Sequence, residues 1–371
     1  MHPEFPQNDD LLHMNHAAVG PWPERTHQAV AAFARENTHV GSRHYLRWLE
    51  VERRLRGRLR GLINAPSPDD IALLKNTSEG LSLVAHGLRW TPGENVVCPL
   101  QEFPSNRIVW QSLEKAFGVT VRLVDLDTPD PEAALLGAMD RNTRLLSVSA
   151  VQYASGLRLN LERLGRACRQ RDVFFCVDAI QQLGALPLDV QACGADFLAA
   201  DAHKWLLGPE GIAVFYCRGE VRERLQLHQF GWHMVEDPGD FDRLDWAPAA
   251  SARRFEAGSP NMLGIHALDA SLSLFEETGM HFVADALSRN VEYLIDLLRS
   301  ARFTVLSPIK AERRAGIVTF NRPGMNAQGA WQRLMDAGVL CAPRGGGIRF
   351  SPHFYTPAGH LERAVEMAAE V

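Results

Sequence analysis

The chain has 371 residues, a formal net charge of −5, 46% hydrophobic and 22% charged residues. This length exceeds one ordinary core, so two domains are expected, and the composition is that of a globular protein. The acidic balance gives no electrostatic reason to expect a polyanion, so nucleic acid is disfavoured as a partner, and every apolar stretch is broken before membrane-spanning length.

The opening stretch, MHPEFPQNDDLLHMNHAA, is acidic and proline-containing, unlike a signal peptide. Residues from Pro23 to Asn37 form a helical pattern opened by proline, and RHYLRWLEVERRLRGRLRGLI, Arg43 to Ile63, forms a second. The arginines of the second helix alternate with an apolar stripe of Trp48, Leu55, Leu59 and Leu62. They read as a solvated or subunit-facing surface, not a nucleic-acid patch.

From Asp70 to Arg218, short β-rich runs alternate with amphipathic stretches. The runs are IALLKN, NVVCPL, VTVRLVDL, TRLLSVSAV, VFFCVDA, DFLAAD and IAVFYCR, separated by segments such as PSNRIVWQSLEKAFG and NLERLGRACRQRD. Several runs are almost wholly apolar, the mark of strands covered by helices on both faces. The expected core is an α/β domain with a largely parallel sheet; the pattern leaves the strand order open. A loop-rich segment spans Gly231 to Ser259, and one long helix is expected from Asn261 to about Ser300. The rest carries strands (TVLSP, GIVTF, GIRFS) and helices starting near Ala327 and Pro357, a smaller α+β domain. The division expected is 16–265 for the large domain, with 1–15 and 266–371 forming the small one.

The six cysteines, Cys98, Cys168, Cys176, Cys193, Cys217 and Cys341, form no CxxC pair and lie in apolar surroundings. They read as reduced, buried thiols of a cytoplasmic protein.

The residues with chemical potential fall at strand ends. Lys204, in DFLAADAHKWLLGPEG, follows an apolar strand and precedes Trp205 and Leu206. Desolvation there would lower its pKa, as a Schiff-base amine requires; the ordinary alternative is a surface lysine. Asp178 ends the strand VFFCVDA, at the carboxyl edge where open α/β sheets bind ligands, and the alternative is a turn-capping aspartate. In LLKNTSEGLSL, a strand ends at Lys75 and Asn76 and a helix begins at Thr77. Backbone N–H groups, the hydroxyls of Thr77 and Ser78, and Gly80 as a close-approach glycine would cradle a phosphate. The alternative is a capping box of Asn76 with Glu79. Phe103 would stack on an aromatic ring or simply fill a loop. Arg349, on a strand after a glycine run, would grip a carboxylate or join a structural ion pair, with Arg344 as competitor.

Seven segments, NHAAVGP, NTSEG, EFPSN, VDAIQ, DAHKW, FEAGSPN and IRFSPHFY, occur in the order seen in class V aminotransferase-fold enzymes. The chain resembles that family from about Asn15 to Tyr355. The family includes cysteine desulfurases, kynureninase and the isopenicillin N epimerase-like group. The resemblance implies fold type I, with a large, mostly parallel α/β domain and a smaller α+β domain, and pyridoxal 5'-phosphate as cofactor. It implies a Schiff base on Lys204, Asp178 at the pyridine nitrogen and Gln181 at the ring hydroxyl. Thr77 and Ser78 would hold the phosphate, helped by Asp201 or His203. Phe103 would stack on the ring where desulfurases place a histidine, and Gln152 and Tyr153 would line the site. Ser259 resembles a residue reaching the phosphate from a second subunit, which implies a homodimer. Asn15 and Arg349 would bind the substrate, Arg349 at its α-carboxylate.

The implied activity is that of an enzyme acting on an amino acid or derivative. Lys204 would move the α-proton and the ring would hold the resulting carbanion, leading to transamination or β-elimination. Epimerase-like or desulfurase-like activity is the same-class alternative. Desulfurases carry a cysteine on a mobile loop before the carboxylate-binding arginine; here QRLMDAGVLCAPRGGG has no such loop, and Cys341 reads as packing. A nucleotide-binding α/β protein is disfavoured because no G-x-G-x-x-G or G-x-x-x-x-G-K-[ST] loop is present. A non-catalytic relative is disfavoured by the presence of both Lys204 and Asp178.

Overall fold

The computed structural model describes residues 2–6 and 10–371; residues 1 and 7–9 of the expected small domain lie outside the described residues. The chain opens with strand β1 (Leu12–His13) and helices α1 (Glu24–Val40) and α2 (Tyr45–Ile63). Alternating elements follow: β2 (Ile71–Leu74), α3 (Thr77–Gly87), β3 (Asn95–Pro99), α4 (Pro104–Phe117), β4 (Thr120–Val124) and α5 (Pro131–Ala138). Next come β5 (Thr143–Ser149), α6 (Leu161–Gln170), β6 (Phe174–Asp178), α7 (Val190–Cys193), β7 (Phe197–Asp201) and β8 (Ala213–Cys217).

The seven expected strands are the seven strands of one sheet, in the order β2-β8-β7-β6-β5-β3-β4. Only β8 runs antiparallel to its neighbours, β7 and β2. The five-residue strands β3, β6, β7 and β8 are buried along their whole length, whereas the edge strand β4 is half exposed, as its arginine and threonine require. Because β5, β6 and β7 are mutually parallel, their last residues, Ser149, Asp178 and Asp201, share one edge of the sheet.

The expected single helix over Asn261–Ser300 is two: α8 (Met262–Thr278) and α9 (Met280–Ser300). The break is Gly279, at φ 83°, a backbone state that favours glycine. Helix α8 packs against α1 and α2, and its Met262, Ile265, Leu268 and Leu272 belong to the large-sheet core. The boundary expected at 265/266 therefore falls inside a helix whose whole length lies on the large body. Three of the arginines of α2 pair with carboxylates: Arg54 with Asp269, Arg56 with Glu52 and Glu256, and Arg58 with Asp269 and Glu276.

The chain ends with β9 (Thr304–Val305), β10 (Val318–Asn321), α10 (Ala327–Asp336), β11 (Val339–Leu340), β12 (Ala342–Arg344), β13 (Gly347–Phe350) and α11 (Ala358–Glu370). Strands β12-β13-β10-β9 form a second, antiparallel sheet, and β1 pairs with β11. The second core collects Phe320, Phe350, Leu361 and Leu294 around these strands. Trp205, fully buried beside Lys204, also belongs to it. A Cβ on Gly316 would lie 2.2 Å from the Trp205 ring, so only glycine lets the second sheet approach that indole.

Candidate active site

The carboxyl edge of the large sheet opens on a cavity of about 340 Å³. Its walls are residues 17–19, the start of α3, the loop before α4, and the β12–β13 hairpin. Lys204, Asp178, Thr77, Ser78, Phe103, Gln181, Asp201, His203 and Arg349, expected from sequence, all line it, with Tyr153.

Lys204 lies in the turn after β7. Burial pushes its ammonium down to about 8, against the attraction of the Asp178 and Asp201 carboxylates. Its Nζ sits 5.7 Å from the centroid of the Phe103 ring. No hydrogen bond or salt bridge to any described residue restrains it, so the amine is free to meet a group in the cavity.

Asp178 is held by two donors. The Ile180 N–H donates to one carboxylate oxygen at 2.9 Å and Asn106 Nδ2 to the other at 2.6 Å. Burial raises its pKa, and these bonds together with Lys204 oppose the shift. Gln181 is doubly engaged: its amide Nε2 donates to the Ala17 carbonyl at 3.0 Å, and its Oε1 accepts from Trp205 Nε1 at 2.8 Å. The side chain is thereby fixed at the cavity wall.

At the other end, the Asn76 side chain accepts from the Glu79 N–H at 2.9 Å, capping α3. The Glu79 carboxylate reaches back to the Lys75 N–H at 2.6 Å, one residue earlier than a simple capping box. The Thr77 hydroxyl accepts from the Asp201 N–H at 3.0 Å, and Ser78 Oγ donates to Ser105 Oγ at 2.9 Å. His203 Nδ1 lies 3.1 Å from Asp201 Oδ1. Gly80 does not serve the cavity as expected. A Cβ there would lie 2.9 Å from the Ala199 Cβ, so the glycine exists to seat α3 on the sheet.

Arg349 is 2% exposed and donates from Nη1 to the Tyr153 carbonyl at 2.7 Å and from Nη2 to Asn15 Oδ1 at 3.4 Å. Burial pushes its pKa down to about 10, and its Nε has no partner. An arginine buried without a carboxylate is an anion site in waiting. Asn15 thus stands behind Arg349 and outside the lining. Arg344 and Glu210 both line the cavity without an ion-pair partner among the described residues. Because Ala342 pairs with Arg349 across the hairpin, Arg344 projects from the same face.

Two expected contacts fall elsewhere. Gln152 is buried behind the wall, where its Nε2 donates to Glu102 Oε1 at 3.1 Å; the chain turns there, and its neighbour Tyr153 faces the cavity instead. Ser259 lines a separate depression beside Lys75 and Glu79, outside this chain's own cavity. Residues that the sequence reading passed over are Glu102, Ser105 and Asn106; all lie in EFPSN, which was read for Phe103 alone. Cys341 is buried, and its thiol is pushed up to about 12.

The donor set suits pyridoxal 5'-phosphate. An unrestrained, desolvated amine would meet its aldehyde, and a fixed buried carboxylate its ring nitrogen. A helix start with two hydroxyls would meet its phosphate. A metal has less support. Glu52, His233 and Glu256 bring ligand atoms within 4.8 Å of one another, but the Arg56 guanidinium already bonds both carboxylates.

A family model described as "Aminotransferase class-V" matches residues 15–349. A probable cysteine desulfurase of Methanothermobacter thermautotrophicus is 30% identical over 397 aligned positions, covering 99% of this chain and 96% of the relative. An uncharacterized aminotransferase of Bacillus subtilis is 30% identical over 308 positions, 81% of this chain and 79% of its own. The cysteine desulfurase of Thermococcus onnurineus has a similar structure, with TM-score 0.86, 25% identity and coverage of 98% and 94%. The cystine C–S lyase C-DES, solved with its product cysteine persulfide, superimposes with TM-score 0.90 at 23% identity, covering 98% of each chain.

Proposed function

Given that the chain belongs to the class V aminotransferase family and uses pyridoxal 5'-phosphate to act on an amino acid, we propose that it is a β-lyase of sulfur-bearing amino acids that works without a protein thiol. The observation that carries this reading is the pairing of a free, desolvated Lys204 amine with cysteines that are all buried. The names of its relatives point to carbon–sulfur chemistry. A desulfurase needs a thiolate that travels to the substrate sulfur, and Cys341, pushed up to about 12 within the second core, is neither mobile nor ionised.

When bound, the cofactor supplies an aldehyde for amine condensation and an electron sink for the pair left at the substrate α-carbon. Lys204 carries it. With a pKa of about 8, the lysine amine has a neutral fraction near neutrality, suited to taking the α-proton and returning a proton to the departing sulfur. Asp178 keeps the ring nitrogen protonated. Arg349, which lines the cavity with no carboxylate partner of its own, holds the substrate α-carboxylate, backed by Asn15. Phe103 supports the ring face, and Gln181, locked by Trp205, sets the ring hydroxyl. The N–H groups opening α3, with Thr77, Ser78 and His203, would hold the phosphate. The Asp201 carboxylate, which accepts from the Ala202 N–H, lies 3.1 Å from His203 Nδ1 and adds negative charge beside it.

The cavity is incomplete within one chain if Ser259 reaches a phosphate, and its place outside its own cavity supports a homodimer with shared sites.

The test is product analysis on cysteine, cystine and other amino acids, with and without a keto-acid acceptor. Pyruvate and ammonia with a sulfur product, formed without acceptor and retained in Cys341→Ser, are expected. A persulfide on Cys341 with activity lost in that variant would overturn the reading in favour of desulfurase chemistry. Product formed only with the acceptor would make the enzyme a transaminase.

A further inference from the structure

Behind Asp178 lies a second buried carboxylate that the mechanism above does not use. Glu102 is 6% exposed and sits in the loop between β3 and α4, directly before Phe103. Its Oε1 accepts from the Ser149 N–H at 2.6 Å and from Gln152 Nε2 at 3.1 Å, and its Oε2 accepts a short bond from the Ser149 hydroxyl. Ser149 Oγ in turn accepts from Asn106 Nδ2 at 3.4 Å, and the same Nδ2 donates to Asp178 at 2.6 Å.

The chain of bonds has a direction. While Glu102 is an anion it can only accept, so the Ser149 proton points at it and Ser149 Oγ is left to accept. That acceptor and Asp178 together select the NH₂ end of Asn106, and its Oδ1 is left without a partner. A protonated Glu102 would donate to Ser149, reverse that hydroxyl and loosen the Asn106 amide.

We propose that Glu102 is a positioning residue which, through Ser149 and Asn106, fixes the donor presented to Asp178. It also places a second negative charge behind the carboxylate that faces the cofactor ring nitrogen. The inference rests on the cofactor reading of the cavity. Its consequence is electrostatic: two anions hold the ring-nitrogen proton more firmly than one, in a region where neighbouring charge is weakly screened. The groups facing Glu102 are Asp178 and Cys176 on β6 and Cys98 on β3; Lys204 and Asp201 act on Asp178. Both thiols are pushed upward by burial and stay neutral, so the two carboxylates are the pair that titrates. Burial drives Glu102 up to about 7, which places its switch at neutrality.

The experiment compares wild type, the isosteric Glu102→Gln and Ser149→Ala. In cofactor-free protein, infrared difference spectra on a pH change should show a buried carboxyl ionising near neutrality in wild type and in Ser149→Ala, and Glu102→Gln should lose the Glu102 share of that signal, leaving at most the Asp178 band. A carboxyl signal of unchanged size and midpoint in Glu102→Gln overturns the assignment. With pyridoxal 5'-phosphate bound, all three should develop the visible chromophore. The pH midpoint of its change should fall by at least half a unit in Glu102→Gln and by less in Ser149→Ala. Identical midpoints in the three proteins overturn the proposal, because a merely structural Glu102 would change stability and leave the chromophore titration alone. A wild type without any chromophore would defeat the cofactor reading instead, and the cofactor-free titration would still judge Glu102.

Discussion

At the residue scale, Lys204 and Asp178 are chemically coupled before any substrate arrives. Each is buried, and each tempers the penalty that burial imposes on the other. Borohydride reduction of the protein with bound cofactor should fix the label on a single peptide containing Lys204, and Lys204→Ala should abolish labelling. Label on any other peptide would remove Lys204 from its assigned role. Arg349 shows the same economy: its fork spends Nη1 on the Tyr153 carbonyl and Nη2 on Asn15, and keeps Nε unpaired. DAHKW and IRFSPHFY suffice to pick out both residues. Glu102 escaped because a lone glutamate in a loop reads as solvated, and only the packing of the β3–α4 loop against β5 buries it.

At the element scale, α3 is the piece that joins sheet and cavity. Its start presents Thr77 and Ser78, while its buried face is set down on β7 and β8 at Gly80. Gly80→Ala would drive a methyl to 2.9 Å from Ala199 and 3.1 Å from Phe215. Overpacking of this kind costs about 1–3 kcal/mol. Denaturant unfolding should show that loss, and cofactor affinity should fall because the helix start is displaced. An unchanged midpoint would mean the helix sits more loosely than described. The strands themselves were legible because each is a short apolar run flanked by polar turns. Gly279, by contrast, is one glycine inside a continuous helical pattern, and its positive φ is a property of the folded backbone.

At the scale of the whole molecule, a cluster of buried imidazoles ties the two bodies together beneath Lys204. His353 Nε2 lies 3.1 Å from the Trp205 carbonyl, and His16 Nε2 lies 2.7 Å from the Tyr355 hydroxyl. Burial pushes His13 down to about 4, His353 to about 3 and His16 well below its usual value. These groups bind fewer protons folded than unfolded, so their contribution is present above about pH 6.5 and lost as pH falls below it. Each contributes a slope of up to about 1.4 kcal/mol per pH unit. Glu102 works in the opposite sense, since its raised pKa favours the folded state at lower pH. Urea unfolding between pH 7 and pH 5 should therefore show a net loss of stability, and His353→Gln should flatten it. An equal slope in that variant would exclude His353 as a cause. The dimer belongs to this scale as well. Sedimentation at working concentration should give a two-chain species, and a fully active monomer would rule out a shared site.

The sequence by itself determined the local terms: the seven strands of the large sheet, several helix starts such as that at Thr77, and the acid, base and cation at strand ends. Each depends on periodicity, capping or a residue type within about ten positions. Only the tertiary structure decided the rest. The order of the strands brings Ser149, Asp178 and Asp201 to one edge. The hairpin of β12 and β13 carries Arg349 to Tyr153, 196 residues away in the chain. Gln152 is turned behind the wall and Tyr153 into the cavity. Those outcomes follow from which surfaces exclude water together, a property of the packed whole that no single segment encodes.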